Sequence, residues 1–353
     1  MHQIFNNIFF CKGYNRTLIY DSLKAEIYFI PNFYYDFLYS NNFIFDKNEI
    51  EDNFFTYLVD KEMIFESNDD IKNYFPKMND DSEIPYDIIT MVIELSEINA
   101  YNLYKLNLTK TNGSIPHFNF IFSNFTSLET INLFAEFVET NEADTFEITL
   151  LDGFCFSDEL FKSIEFVKKI IIVNNFSNIK ITDPSVNKNR FYKEIDNINL
   201  KLSVNLLTYF ESDKKHVYFN KKMFIGKNSE IKNSFETNEI FGYLDKIIEP
   251  NVKSIINQSR FQYFWDAKKE ETLICNVCEF RRLCVDNRIP VNIKGRWLHK
   301  KECDYNPYIS KWENEEDFLS LSECGVKQNI KKAEIIINID KLNKTNSIIW
   351  EDA

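Results

Sequence analysis

The run Cys275-Asn-Val-Cys278-Glu-Phe-Arg-Arg-Leu-Cys284 constrains this chain more than any other segment, because with Cys303 nineteen residues further on it supplies four thiols within thirty residues. A C-x2-C step lets one tight turn present two sulfurs, and four soft donors suit either a cubane iron–sulfur cluster or a tetrahedral zinc ion. Structural zinc sites usually pair two short C-x2–4-C hooks. Here one hook is followed by an x5 step and then lone cysteines, so the spacing favours a cluster and keeps zinc as the alternative. Three unliganded core cysteines within ten residues is the blander reading, and it fits the crowding less well. Phe280 and Leu283 are placed to screen an inorganic core from water. Arg281, Arg282 and Arg288 are placed to offset thiolate charge, or else form an ordinary solvated basic face. Cys11 and Cys155 stand alone and read as small core residues.

Length and composition then narrow the class. A chain of 353 residues, 44% hydrophobic and 16% aromatic, has enough apolar surface to bury two or three cores. With only 7 glycines and no Gly-rich turn between a strand and a helix, it has no phosphate loop of the Walker or dinucleotide type. A net charge of −13 argues against non-specific nucleic-acid binding and directs attention to protein or peptide partners. The first ten residues lack a basic region ahead of an apolar one and do not read as a signal peptide. No stretch approaches the roughly 18–20 uncharged apolar residues of a membrane span, so the expectation is a cytoplasmic chain with no membrane partner. A reducing compartment suits an odd cysteine count and metal ligation.

Along the chain, Thr17–Tyr20 and Glu26–Ile30 flank a short polar connection and predict a β-hairpin. Pro31-Asn32 then opens a helix carrying Phe33, Phe37 and Leu38, and a second helix follows from about Asn48 with Ile50, Phe54, Tyr57 and Leu58 on one side. A hairpin on a helical pair is a winged-helix arrangement, equally compatible with a plain scaffold. Residues 68–85 are acidic and read as a connection. Strands at Ile88–Leu95, Phe146–Leu150 and Ile170–Val173, with a helix capped by Ser157, predict an α/β middle built on a parallel sheet. Val217–Phe219 and Met223–Ile225, turning through Gly226–Ser229 into Glu230-Ile231, predict a further hairpin.

The C-terminal third resembles a SPASM domain, the auxiliary-cluster module that follows the barrel of many peptide-modifying radical-SAM enzymes. Cys278-Glu-Phe-Arg, Asp286-Asn-Arg288, Cys303-Asp-Tyr-Asn-Pro-Tyr308 and Leu319-Ser-Leu-Ser-Glu-Cys324-Gly are similar to one subgroup, the SPASM-domain peptide maturases of grasp-with-spasm systems. Lys12-Gly-Tyr-Asn-Arg16, Ile19-Tyr-Asp21 and Ile27-Tyr-Phe-Ile-Pro31 resemble that subgroup's start. The resemblance implies an α/β fold class with an N-terminal winged-helix-like α+β precursor-recognition unit (1–68), a degenerate partial (β/α) barrel (69–210) and a C-terminal cysteine-rich SPASM-like domain (211–353).

The same resemblance implies one 4Fe–4S cluster held by Cys275, Cys278, Cys284 and Cys303, with Cys324 as the alternative fourth ligand, and the proximity of His299 to Cys303 in sequence makes that histidine a further substitute. A full SPASM domain carries another cysteine where this chain has Arg288, and no cysteine stands near Ser229–Ser234, the segment most similar to the upstream hairpin of a first auxiliary cluster. One cluster is therefore expected. No C-x3-C-x2-C motif exists anywhere in the chain, so cleavage of S-adenosylmethionine is not expected. The implied partners are a precursor peptide, whose leader would add as a strand against Ile27 and Phe29, and an ATP-grasp ligase. The competing functions are a single-cluster redox or electron-transfer enzyme and a zinc-stabilised interaction protein. No histidine, serine or carboxylate pairing singles out a catalytic residue.

Overall fold

A computed structural model of the chain describes residues 1–67, 85–107, 115–122, 127–150, 171–175, 192–193, 202–247 and 252–350. Its contacts divide into two units. One gathers Met1–Ser82, Leu202–Val217 and Ala267–Ala353, and the other Glu83–Lys201 and Tyr218–Asp266.

The first unit opens with β1 (His2–Ile4) and a meander of β2 (Ile8–Lys12), β3 (Arg16–Asp21) and β4 (Glu26–Pro31) in the order β2-β3-β4. β3 is central, and Thr17 to Asp21 are all buried along it. That burial is why a run of β-branched and aromatic residues forms a strand here. Asp21 closes the hairpin: its carboxylate accepts from Asn7 at 3.0 Å and from the Leu23 amide at 3.0 Å, and Ala25 takes a left-handed φ of 53°. α1 (Asn32–Ser40) begins directly after Pro31, and α2 spans Asp52–Asp60. The hairpin and both helices stand where the sequence predicts. β2 is an additional strand, and β5 (Ile44–Phe45) and β6 (Ile64–Glu66) flank β1 in a second small sheet. Ile4, Ile19, Ile30, Leu38, Phe45, Phe54 and Leu58 form the core beneath them.

The second unit is built on one sheet. Its strands are β7 (Thr90–Glu94), β8 (His117–Phe122), β9 (Thr145–Leu150), β10 (Ile171–Asn175), β11 (Tyr192–Lys193), β12 (Lys222–Ile225), β13 (Glu230–Lys232) and β14 (Gly242–Tyr243), in the order β11-β10-β9-β8-β7-β12-β13-β14. β11 through β12 run parallel to their neighbours, and β12-β13-β14 are antiparallel. The three strands expected in the middle of the chain are present. The helix Leu128–Thr140, capped by Ser127, crosses between β8 and β9 and makes the β-α-β unit, with Ile131, Phe134, Phe137 and Val138 buried. The helix expected from Ser157, and Cys155, lie outside the described residues.

One expectation is corrected here. Val217–Phe219 is a turn and not a strand. The hairpin that does form, β12 with β13, belongs to this sheet, because β12 pairs in parallel with β7, Met223 opposite Met91.

The cysteine segment returns the chain to the first unit as short hairpins: β15 (Pro290–Ile293) with β16 (Arg296–His299), β17 (Tyr305–Asn306) with β18 (Lys311–Trp312), and β19 (Val326–Asn329) with β20 (Glu334–Ile337). The charged C-terminal stretch forms the helix Ile339–Trp350, with Leu342 buried against Cys324 and Val326. Among the described residues no helix is long and apolar enough to cross a membrane.

Candidate metal centre

Ile274 takes a left-handed φ of 72° immediately before the hook. For a β-branched residue this conformation costs about 1–3 kcal/mol, and it is held only where the surroundings demand it. It turns the chain into a single 3-10 turn, Cys275–Val277, closed by the Cys278 amide donating to the Cys275 carbonyl at 3.0 Å. The turn is fastened from outside by Asn276 N–H to Thr272 O at 2.9 Å and Leu273 N–H to Trp297 O at 2.9 Å. Cys284 bridges to Leu202, and the Ser203 amide donates to the Leu283 carbonyl at 2.8 Å. Cys303 lies just before β17.

The four cysteines are half-buried, whereas Cys11 and Cys324 are fully buried. The four also lie within electrostatic reach of one another: Cys275 interacts with Cys303, Cys278 with Cys284 and Cys275, and Cys284 with Cys303 and Cys275. Burial raises the Cys275 and Cys278 thiols, Glu279 and Cys284 raise Cys278 further, and burial pushes Cys284 up to about 12. These thiols are neutral until something stabilises the thiolate. Among the described residues no three His, Cys, Asp or Glu side chains converge on one metal position. The thiols are thus neighbours that do not point at a common centre.

Cys324 has different company. It sits at 0% exposure with Tyr308, Ile309, Leu321, Val326 and Leu342, its thiol donating to the Leu321 carbonyl at 3.2 Å and accepting from Asn306 Nδ2 at 3.4 Å. This is a satisfied core thiol.

Apolar screening is as the sequence predicts. Phe280 and Leu283 are buried in a cluster with Cys11, Leu18, Tyr20, Tyr209 and Tyr305, against which Cys278 and Cys303 pack. The arginines divide their work. Arg288 lies beside Cys303 and Cys275 and holds Asp286 by a hydrogen bond from Nε at 2.8 Å and an ion-pair contact from Nη2 at 2.8 Å. Arg281 instead braces backbone, donating to the Cys278 carbonyl at 2.9 Å and the Lys12 carbonyl at 2.7 Å, and pairs with Glu270 at 2.5 Å. Arg282 pairs with Asp213, so the role of offsetting thiolate charge does not extend to it.

The residue that sequence reasoning missed is Lys269. It is 2% exposed, donates to Asp286 at 2.9 Å, and feels Cys284 and Cys275. His299 and His216 are buried beside it. Burial first, then Lys269, pushes His299 down to about 3 and His216 well below the usual imidazole range, so both rings are neutral. His299 Nε2 stands 4.0 Å from Asp286.

The opening motif docks directly on this hook. The Tyr14 amide donates to the Val277 carbonyl at 2.8 Å, and Arg16 Nε to Glu279 Oε1 at 2.7 Å, with the Tyr305 hydroxyl donating to the same oxygen. Asn15 donates to the Tyr308 carbonyl at 2.7 Å, and Asn32 binds the Gly13 and Tyr14 carbonyls. Gly13 is required by space: a Cβ there would stand 2.8 Å from Glu279 Oε2 and 2.9 Å from Glu279 Cβ. Three segments singled out in the sequence, 12–16, 278–281 and 303–308, therefore form one interlock of buried charge and backbone bonds.

Of the two residues expected to meet a peptide, Ile27 packs into the Cys11–Tyr305 cluster. Phe29 is 36% exposed, with the Arg16 guanidinium 3.8 Å over its ring and Phe280 edge-on at 5.6 Å.

No protein-family model matches this chain, and no curated protein does. Among solved structures, Streptococcus suis SuiB bound to S-adenosylmethionine is similar over 80% of this chain and 94% of that chain, at 10% identity and a TM-score of 0.29. A second structure of Streptococcus suis SuiB is similar over the same shares, at 11% identity and a TM-score of 0.23. Likeness at that level carries no functional weight, and the reading below rests on this chain's own residues.

Proposed function

We propose that this chain is a metal-binding peptide-maturation protein, related to the SPASM-domain maturases that its two terminal motifs resemble. In this reading Cys275, Cys278, Cys284 and Cys303 hold one 4Fe–4S cluster, and the protein binds a ribosomally made precursor peptide for an ATP-grasp ligase. The observation that carries the reading is the shared neighbourhood of those four thiols beside two buried cations. Cys303 is preferred to Cys324 as fourth ligand because it neighbours Cys275 and Cys284, while Cys324 is satisfied in another core. The donor set fits. All four residues are soft sulfur donors, the cluster of Phe280 and Leu283 shields the side on which Cys278 and Cys303 pack, and Arg288 and Lys269 favour the ionised form. A cubane on four protein thiolates has no open coordination position and supplies structural support or one-electron transfer. Nothing in the chain is assigned to cleaving S-adenosylmethionine.

Among the described residues β4 pairs with β3 alone, so its outer edge offers backbone groups to an added peptide strand. With Ile27 turned into the core, this backbone edge and the rim of Phe29 are the surface proposed for the precursor. Iron, sulfide and zinc analysis of anaerobically purified protein tests the metal. About four irons and four sulfides per chain, lost in Cys284→Ala, is the expected result. One zinc without sulfide would replace the cluster by a zinc site, and no metal in the wild type would end the reading.

A further inference from the structure

Within the group formed by Lys269, Asp286 and Arg288 the buried charges do not balance. Lys269 and Asp286 have side chains 3% and 1% exposed and Arg288 15%, and both cations are paired with the same carboxylate. Arg288 reaches one further acceptor, the Lys301 carbonyl at 2.8 Å, which is neutral. Two buried cations against one buried anion leave one positive charge in excess, which a protein interior does not tolerate without a partner. Asp286 is already held twice by Arg288, so Lys269 is not needed to satisfy it. The local sequence makes the inward turn of Lys269 the more specific. Lys268, Lys269, Glu270 and Glu271 are four consecutive charges, of which Lys268 and Glu271 pair at the surface at 2.6 Å and Glu270 takes Arg281, while Lys269 alone is buried.

We propose that Lys269 is the counter-ion of the metal centre, a residue whose fixed charge matches the thiolates of Cys275 and Cys284 once metal is bound. This rests on the reading above that the four cysteines hold a metal. Binding of metal converts neutral thiols to thiolates, and the excess positive charge is then compensated. In the metal-free protein it is not. Lys269 therefore acts with opposite sign in the two states, favouring the loaded form and burdening the empty one.

The test uses the full chain and Zn(II) alone, titrated into metal-free protein against a chromophoric chelator, with thermal unfolding of the metal-free form measured in parallel. Lys269→Met is expected to weaken zinc on the order of 10- to 100-fold while the metal-free protein melts no lower than wild type. Lys269→Arg is expected to retain wild-type affinity within about threefold. Zinc binding by Lys269→Met equal to wild type overturns the proposal, as does a metal-free melting loss that Lys269→Arg does not restore. Should Lys269→Met not fold, Asp286→Asn decides, because it keeps both cations. Wild-type or tighter zinc affinity, or folding only with zinc, supports the counter-ion role, and affinity reduced tenfold or more contradicts it. Wild-type protein that takes up no zinc contradicts the metal reading itself, independently of Lys269.

Discussion

Both units have apolar cores, and they differ in the charges buried beside them. In the sheet unit the alternation of β8 and β9 turns Phe118, Phe120, Phe122, Phe146 and Ile148 into a core with Phe134 and Phe137, with Phe120 and Phe134 edge-to-face at 4.7 Å. Its polar groups are neutral or local, such as Asn119 with Thr149 at 3.0 Å. In the cysteine unit the fixed points are buried ions: Glu279 with Arg16, Asp286 with Lys269 and Arg288. Apolar burial stabilises whatever the ligation state, whereas buried ions are worth having only when each is matched. On that contrast the stability of the sheet unit is expected not to depend on a ligand, whereas the proposed metal would complete the charge pairing of the cysteine unit.

Substitutions at three positions, in order of expected size, and one condition sharpen or break that contrast. Phe120→Ala removes a fully buried ring and is expected to cost about 3–5 kcal/mol in denaturant unfolding, by the same amount with and without chelator. A cost that depends on metal would contradict the division. Arg16→Met leaves the Glu279 carboxylate, at 0% exposure, without its cation. Because Arg16 is itself partly exposed, about 2–3 kcal/mol is expected. Arg16→Lys is expected to recover only part of this, since Nε and Nη2 serve Glu279 and Tyr305 separately. Gly13→Ala forces Glu279 aside and is expected to cost about 1–3 kcal/mol and to weaken zinc, whereas a neutral result would show that the interlock is loose.

The condition is the pH dependence of the metal-free protein. His299 and His216 have folded pKa values below the unfolded value of about 6.5, so the unfolded chain binds the extra protons. Their contribution is full above about pH 6.5 and is lost as pH falls toward the folded value, about 3 for His299. Stability should fall by up to about 1.4 kcal/mol per pH unit for each histidine, and His299→Gln should flatten the slope. A profile that is level from about pH 7 to pH 4 would contradict their burial in the neutral form.

What was legible in the sequence is what local pattern encodes. The β3–β4 hairpin followed from β-branched runs around a polar turn, α1 from Pro31-Asn32, the parallel strands from short apolar runs, and the hook from cysteine spacing. Four features were not legible, each for a physical reason. β2 begins in an apolar N-terminal run with no turn signal of its own, and it is a strand because β3 lies beside it, Phe10 opposite Ile19. Val217–Phe219 has strand-forming residues, yet tertiary context makes it a turn before β12. Lys269 sits in a charge run that composition reads as solvated, and its partner Asp286 is seventeen residues away across the hook. The docking of residues 12–16 on 277–281 joins segments more than 260 residues apart, a distance no periodicity can bridge. Each motif was visible, and their union was not.

The most direct test of the contrast is amide hydrogen exchange on the full chain, metal-loaded and then chelated. The account predicts that chelation strips protection from Tyr14, Val277 and Cys278 in the cysteine unit and leaves Phe118, Phe120 and Phe146 of the sheet as slow as before. Equal loss in both units, or no change at the hook, would contradict it.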